Sequence, residues 1–143
     1  MTGFYGRWVL PTGGALLALA TIAGALGAHA LAGQWSAGRL AIYDTAVRYQ
    51  FYQSLGLLVM GAPFGGLHPG KLTSARHMFA QRYLSAPRAL FIGILLFCGS
   101  LYALSLGAPR WVGIVTPFGG GLLILGWIVF AYDTWRWRIG AVS

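Results

Sequence analysis

The residues best suited to chemistry in this sequence lie in two apolar stretches, GALGAHAL and AIYDTAVRYQFYQSLGLL. Asp44 and Arg48 are four positions apart with the acid first, the favourable order for a pair on one helical face. Tyr49 and Gln53 repeat that spacing, and His29 in the first stretch lies at a similar depth. These five residues predict a polar cluster near one end of a helical bundle.

Two interpretations of this predicted cluster remain open. An unpaired arginine in the middle of a membrane-spanning helix costs about 2.5–3.5 kcal/mol, unless it pairs or its side chain extends to the interface. The cluster is therefore either a structural clamp between helices or the lining of a polar cavity for a proton or a small solute. Its position near the end of a span favours the clamp.

Other chemistries lack the residues they require. The two acids of the chain, Asp44 and Asp133, fall at opposite ends of the predicted bundle, which excludes paired-carboxylate catalysis. His68 and His77 lie in a loop on the side opposite His29, so a histidine metal site or a bis-histidine haem is not expected. There is no phosphate-binding glycine loop and no nucleophile elbow. The sequence thus predicts no enzyme, no cofactor and no metal.

The elements that carry these residues are membrane spans. Hydrophobic residues make up 57% of the 143 residues and charged residues only 8%, far too few to cover a water-facing surface. Four gaps in the charged residues are each long enough for a helix to cross a bilayer. The sequence predicts one all-α domain over residues 1–143, a four-transmembrane-helix bundle with spans at about 9–31, 40–62, 89–106 and 112–132.

The basic residues predict the orientation of these spans. The net charge is +8, but the basic residues stand at span ends and form no aromatic-interleaved patch, so nucleic acid is not an expected partner. Both termini and the 63–88 loop share one face, which carries most of them and is expected to be cytoplasmic. That face holds Arg7, Lys71, Arg76, Arg82, Arg88, Arg136 and Arg138, against Arg39, Arg48 and Arg110 on the other.

Two further segments have competing interpretations. Arg7, the first apolar run and an Ala-His-Ala site imitate a signal peptide, but the run is longer than such peptides have, so we expect it to be retained. The basic 63–88 loop either contains a short amphipathic helix on anionic lipid, at about 72–83, or is an irregular basic loop.

Small residues predict where helices approach closely. Ala20, Gly24 and Ala28 recur every four residues in the first span, and Gly99 and Ala103 form a similar row in the third. Intramolecular packing is the favoured interpretation of both rows. The TPFGGG stretch of the fourth span predicts a kink or a close approach of backbones, and a broken helix of the transporter type is the alternative. Cys98 is interpreted as a small apolar side chain.

The sequence resembles a known family. GALGAHAL, AIYDTAVRYQFYQSLGLL, FCGSLYALSL and TPFGGGLLILGW occur in the order seen in domain-of-unknown-function family 423, small bacterial inner-membrane proteins similar to the transmembrane protein 256 group. The resemblance implies four helices and no particular activity. The family commonly has a histidine where this chain has Gln53, and the inner loop here is longer. The loss of that histidine weakens a proton relay or a metal site built on His29.

Two functions are therefore expected to compete. The first is a non-enzymatic structural or accessory role, in which a small bundle packs against lipid and a larger membrane-protein complex. The second is a homo-oligomeric channel or carrier for a proton or small solute, built around the polar cluster. Four short helices rarely enclose a pore alone, so the second function needs several copies.

Overall fold

The computed structural model describes residues 8–65 and 85–140, and all side chains within them except those of 63–65 and 137–140. This part of the chain is helical, with short turns between the helices. The helices are α1 (Val9–Leu26, continued by a π-helical turn at Gly27–Leu31), α2 (Ala37–Gly65), α3 (Ser85–Ser105) and α4 (Val115–Gly140), the last preceded by a 3₁₀ turn at Arg110–Ile114.

The first helix ends in a widened turn, and α1 with this turn coincides with the predicted span at 9–31. The Ala23 carbonyl accepts the backbone N–H of Gly27, and it also accepts the hydroxyl of Tyr43 at 2.8 Å. This competition for one carbonyl gives a physical reason for the wider turn, since π-turns form where a neighbouring group disturbs the regular hydrogen-bond ladder.

The second helix extends beyond its predicted span of 40–62 at both ends. Ser36 caps its start, because the Ser36 hydroxyl accepts the backbone N–H of Arg39 at 3.4 Å. A helix of 29 residues is about 43 Å long, more than the hydrocarbon thickness of about 30 Å. The polar side chains of α2 lower its mean hydropathy. By composition alone, α2 is therefore not one of the three helices that are apolar enough to span a membrane.

The third and fourth helices each have a proline in their first turn. A proline in the first turn of a helix loses no hydrogen bond, because the first backbone N–H groups have no partner there. Pro87 occupies such a place in α3, which starts at Ser85 rather than 89, so the predicted 63–88 loop was too long at both ends. Pro117 occupies the same place in α4, which then runs without a break. The alternative of a broken fourth helix is therefore wrong, whereas the close approach of backbones is observed at Gly119, which lies against the backbone of Phe97. The predicted interfacial helix at 72–83 lies outside the described residues.

Neighbouring helices pack antiparallel, with α2 and α3 at the centre. The most extensive contacts are between α3 and α4, and α1 packs chiefly on α2. Buried side chains from all four helices form one apolar core, comprising Val9, Ala46, Leu57, Met60, Ala86, Leu90, Ile94, Cys98 and Leu123. We call the end of the bundle that holds residues 32–36 and 106–114 the short-loop end.

Three of the four helices are long and apolar enough to cross a membrane. These helical stretches are Val9–Leu31, Ser85–Ser105 and Arg110–Arg136, with mean hydropathies of 1.8, 1.8 and 2.0. Their outward faces carry large apolar side chains such as Ile22, which is 58% exposed, and Ile128, which is 59% exposed. An apolar exterior of this kind suits lipid as the surrounding solvent.

Candidate functional site: the polar side chains of the second helix

Two polar side chains of α2 bind the backbone of α1. The Tyr43 hydroxyl donates to the Ala23 carbonyl at 2.8 Å, and the Gln50 amide donates to the Leu16 carbonyl at 2.9 Å. Tyr43 and Gln50 are seven residues apart, which places both on the same face of α2. Both are buried, so the bonds lie in the interface between the two helices. These carbonyls already belong to the α1 ladder and still have a second lone pair to offer.

Two others bind α3 and α4. The Arg39 guanidinium donates through Nε to the carbonyl of Ser105, the last residue of α3, at 2.9 Å. The Gln53 side-chain carbonyl accepts the indole N–H of Trp127 at 2.8 Å, which connects α2 to α4. Tyr49 lies between them along α2, and its ring packs on that of Phe97 with centroids 4.8 Å apart.

An aromatic cluster closes the short-loop end. The rings of Trp35 and Tyr43 are 5.7 Å apart and those of Tyr43 and Tyr102 are 5.4 Å apart, both edge to face. The Arg39 guanidinium lies 4.5 Å from the centre of the Trp35 ring, a cation–π contact. The Tyr102 hydroxyl is buried and has no hydrogen-bond partner among the described residues. This cluster joins α2 and α3 to the turn that follows α1.

The structure does not bring the five predicted cluster residues together. His29 is exposed in the π-turn of α1, two residues after Gly27, which is the residue there that packs on α2. Asp44 lies beside Gly27, whereas Tyr49 and Gln53 face α3 and α4 on the other side of α2. A single polar cluster was therefore the wrong grouping, because a helix directs residues 44 and 53 to opposite sides.

The predicted pair of Asp44 and Arg48 is also absent from the described part of the chain. The Arg48 Nε–H donates instead to the backbone carbonyl of Asp44, at 3.4 Å, and the two side chains form no ion pair. Arg48 is exposed on the face of α2 opposite its helix contacts, whereas Asp44 is half-buried at the edge of that face, beside Gly27. Tyr52, one turn after Arg48 on the same side of α2, is 61% exposed.

The predicted small-residue rows are correct in part for α1. Ala20 is buried at 1% exposure, and a Cβ placed on Gly24 would meet Val47 of α2 at 3.4 Å. Ala28 is exposed, because the residue that packs on α2 at this height is Gly27. The sequence did not reveal this, since a spacing of four and a spacing of three both stay on one helical face.

The predicted row in α3 is not the one that packs. Gly99 is exposed, with open space where a Cβ would be, and Ala103 is only half-buried. The close contact of α3 with α4 depends on Gly93, Gly119 and Gly126 instead. A Cβ on Gly119 would lie 2.4 Å from the backbone nitrogen of Phe97. The seven-residue spacing of Gly119 and Gly126 was a signal that could have identified this contact.

No metal-binding group of three histidine, cysteine or acidic side chains occurs in residues 8–65 and 85–140. Cys98 is a free cysteine that is buried in the apolar core, as predicted for a small apolar side chain. Four side chains of α2, those of Arg39, Tyr43, Gln50 and Gln53, use their hydrogen-bonding groups to join helices.

Comparison with known proteins gives the family. The profile of a protein family of unknown function, DUF423, matches residues 23–120. The chain belongs to this family. A UPF0382 membrane protein of Staphylococcus epidermidis is 40% identical over 120 residues, which cover 84% of this chain and 87% of the relative. The UPF0382 membrane protein YwdK of Bacillus subtilis is 36% identical, over 81% of this chain and 87% of its own length.

The match extends beyond these two bacteria. A UPF0382 membrane protein of Haemophilus influenzae is 35% identical over 79% of this chain and 82% of the relative. No solved structure matches the chain. The matched segment of this DUF423 protein contains the π-turn, all of α2 and α3, and the start of α4. The bonds of Tyr43 to Ala23 and of Arg39 to Ser105 lie wholly within the matched segment, whereas Leu16 and Trp127, the partners of Gln50 and Gln53, lie outside it.

Proposed function

We propose that this protein is a non-enzymatic structural component of the bacterial inner membrane, one that packs against a larger membrane-protein complex. The observation that carries the proposal is the use of the inward polar groups of α2. Tyr43, Gln50, Gln53 and Arg39 each bond to a neighbouring helix, and Ser54 bonds to its own helix at 2.6 Å. Polar groups used in this way fix the positions of the helices. These side chains of α2 do not converge on a common point, as the residues of a catalytic site would.

The proposal includes four crossings with both termini in the cytoplasm. Its support is the length of α2, its antiparallel place between two apolar helices, and the excess of basic residues on the side of the termini. Tryptophans stand near the helix ends, Trp8 before α1, Trp35 before α2 and Trp111 before α4, as expected at membrane interfaces. The protein requires no cofactor in this role.

Purification in a mild detergent tests the accessory role. A tagged copy expressed at its native level is expected to bring down a different membrane protein in fixed stoichiometry. The complex should survive Tyr49→Phe, which removes a hydroxyl that bonds to nothing in the described residues. It should weaken with Gln53→Leu, which removes the acceptor of the α4 tryptophan. Recovery of this chain without any stoichiometric partner, at native expression and in several mild detergents, would contradict the accessory role.

The second candidate is an oligomeric carrier or channel for a proton or a small solute. The exposed Arg48 and the half-buried Asp44 favour it, because charged groups at the outside of one bundle can line a path between several bundles. Purified protein in liposomes should then conduct above the level of empty liposomes, and Arg48→Lys should keep the fold and reduce the flux, since lysine lacks the planar fork. Flux equal to that of empty liposomes would exclude this candidate.

A further inference from the structure

The uncovered face of α2 carries a charged side chain, which is not expected on a helix face exposed to lipid. Its exposed side chains, from the short-loop end downward, are those of Ala41, Arg48, Tyr52, Leu55 and Val59. We call this surface the α2 outer face. It carries a guanidinium group in the middle of a row that is otherwise small, aromatic or aliphatic. Charged residues within spanning helices normally face a bundle interior, a wet cavity or a partner.

The depth of Arg48 follows from the packing of α2 against α3. The 21 residues of α3 make a helix of about 31 Å, which matches the hydrocarbon core of about 30 Å. Tyr49 packs on Phe97, which lies eight residues before the end of α3 at Ser105. The backbone of Arg48 is therefore about 12 Å below the short-loop end, close to mid-depth.

Arg48 on this face and Asp44 at its edge, half-buried beside Gly27, have no ionic partner within the described residues. Arg48 donates only to a backbone carbonyl at 3.4 Å, and Asp44 forms no ion pair. An anionic lipid headgroup would satisfy the arginine but repel the acid. A surface that presents both signs is complementary to itself, so a second copy can satisfy both.

We propose that the α2 outer face is the interface of a two-fold homodimer, in which Asp44 of each copy pairs with Arg48 of the other. In such a dimer the two α2 helices run parallel, so equal residue numbers lie at equal depth. Helical side chains lean toward the helix N-terminus, and the contact of Arg48 Nε with the Asp44 carbonyl shows this direction. The guanidinium of one copy thereby reaches the depth at which Asp44 of the second copy lies.

The remaining residues of the face suit this arrangement. Ala41 lies one turn from the charged pair toward the short-loop end and allows the two backbones to approach. Leu55 and Val59, 40% and 58% exposed, would pack on their equivalents below the pair. The inference does not depend on the accessory role, since a homodimer can act alone or within a larger complex.

Disulfide cross-linking in native membranes tests the position of the interface. In a Cys98→Ala background, Leu55→Cys is expected to cross-link two copies several-fold faster than Leu19→Cys on α1 or Ile124→Cys on α4. Leu19 and Ile124 are 56% and 63% exposed, so they are matched controls in apolar exposed positions. Equal rates at all three positions, or a link from Leu55→Cys to a different protein, would overturn the proposal.

A charge exchange tests the pairing. Asp44→Arg gives a copy with two positive charges on the face, and Arg48→Asp gives one with two negative charges. Each alone should dimerise at least about tenfold more weakly than the natural protein. Differently tagged copies of the two variants, expressed together, should recover the heterodimer, because both ion pairs form again.

Helicity and thermal unfolding of each variant show whether it folds alone. Two folded variants that fail to associate together would contradict the pairing, as would single variants that dimerise like the natural protein. A natural protein that stays monomeric in membranes, with Arg48→Gln losing stability only when anionic lipid is present, would assign Arg48 to a lipid headgroup and overturn the dimer.

Discussion

At the scale of single residues, the polar side chains of α2 are divided by direction. Most of those that face other helices are bonded to them, as Gln50 is to the Leu16 carbonyl and Gln53 to Trp127, whereas the buried Ser54 bonds to its own helix. Such bonds between membrane helices contribute about 0.6 kcal/mol on average and up to about 1.7 kcal/mol. Each is modest, but several along one helix fix its rotation, because turning α2 would leave all of them unpaired in a dry environment.

Tyr43 and Tyr49 allow a matched test of one such bond. Tyr43→Phe removes the hydroxyl that donates to the Ala23 carbonyl, so it should lower the free energy of unfolding by about 0.5–1.5 kcal/mol. Tyr49→Phe removes a hydroxyl with no hydrogen bond in the described residues and should change little. Thermal unfolding in one detergent, followed by circular dichroism, measures both. An equal loss in the two variants would mean that the Tyr43 bond contributes nothing.

Gln53 and Trp127 allow a test of coupling. Gln53→Leu and Trp127→Phe each break the 2.8 Å hydrogen bond and leave one polar group unpaired. The double variant should therefore lose less stability than the sum of the single losses, by about 0.5–1.5 kcal/mol. A denaturation series on the four proteins gives this coupling energy. Additive losses would show that the two side chains act independently.

At the scale of elements, α3 and α4 pack so closely that the backbone of one helix lies against the backbone of the other. A Cβ on Gly93 would lie 2.9 Å from the backbone nitrogen of Leu123, and one on Gly126 would lie 3.1 Å from that of Leu90. Helices that approach this closely gain dispersion contacts along their whole length, the main attraction available where lipid surrounds them. The hydroxyls of Ser100 and Thr116, 2.8 Å apart, add a polar bond near the short-loop end.

Glycines of α4 provide the corresponding test. Gly119→Ala would place a methyl group 2.4 Å from backbone atoms of α3 that cannot move aside, so α3 and α4 must separate. We expect a loss of about 1–3 kcal/mol, as for an overpacked core. A Cβ on Gly121 would have open space around it. Gly121→Ala should therefore leave stability unchanged or raise it by up to about 1 kcal/mol through helix propensity. Unfolding temperatures in detergent compare the two. A Gly119→Ala protein as stable as the Gly121→Ala protein would contradict this packing.

At the scale of the whole molecule, the bundle keeps much of its apolar surface outside. In the most apolar parts of the first and last spanning stretches, only 17% of residues are buried, against 33% in α3. A water-soluble protein would hide such faces, whereas here lipid and partner helices can cover them. In the proposed homodimer, the few charges inside the spanning region are the residues that decide how the molecule associates.

Labelling of single cysteines tests the orientation of this bundle. In a Cys98→Ala background, Ser36→Cys and Ser74→Cys should react with a membrane-impermeant reagent from opposite sides, and Ser36→Cys should react from outside the cell. The physical reason is the excess of basic residues on the side of Ser74, which resists translocation. Intact and permeabilised cells give the comparison. Reaction of both positions from one side would contradict the proposed topology of four spans.

The sequence by itself determined that lipid surrounds this protein and where along the chain its helices lie. A scarcity of charge and four long apolar stretches predict helices at nearly the observed places, because each stretch must satisfy its own backbone bonds in lipid. Helix ends were harder to predict, as at Pro87, because a proline that breaks a helix interior is harmless in a first turn.

Only the tertiary structure decided which polar and small residues meet. Spacing predicted that Asp44 and Arg48 share a face, but not that this face is uncovered, nor that Gln53 turns away from them to Trp127. Spacing likewise could not distinguish Gly99, which faces open space, from Gly93, which meets α4. The physical reason is that periodicity fixes directions around one helix axis, whereas the rotation and neighbours of that helix depend on how all four pack.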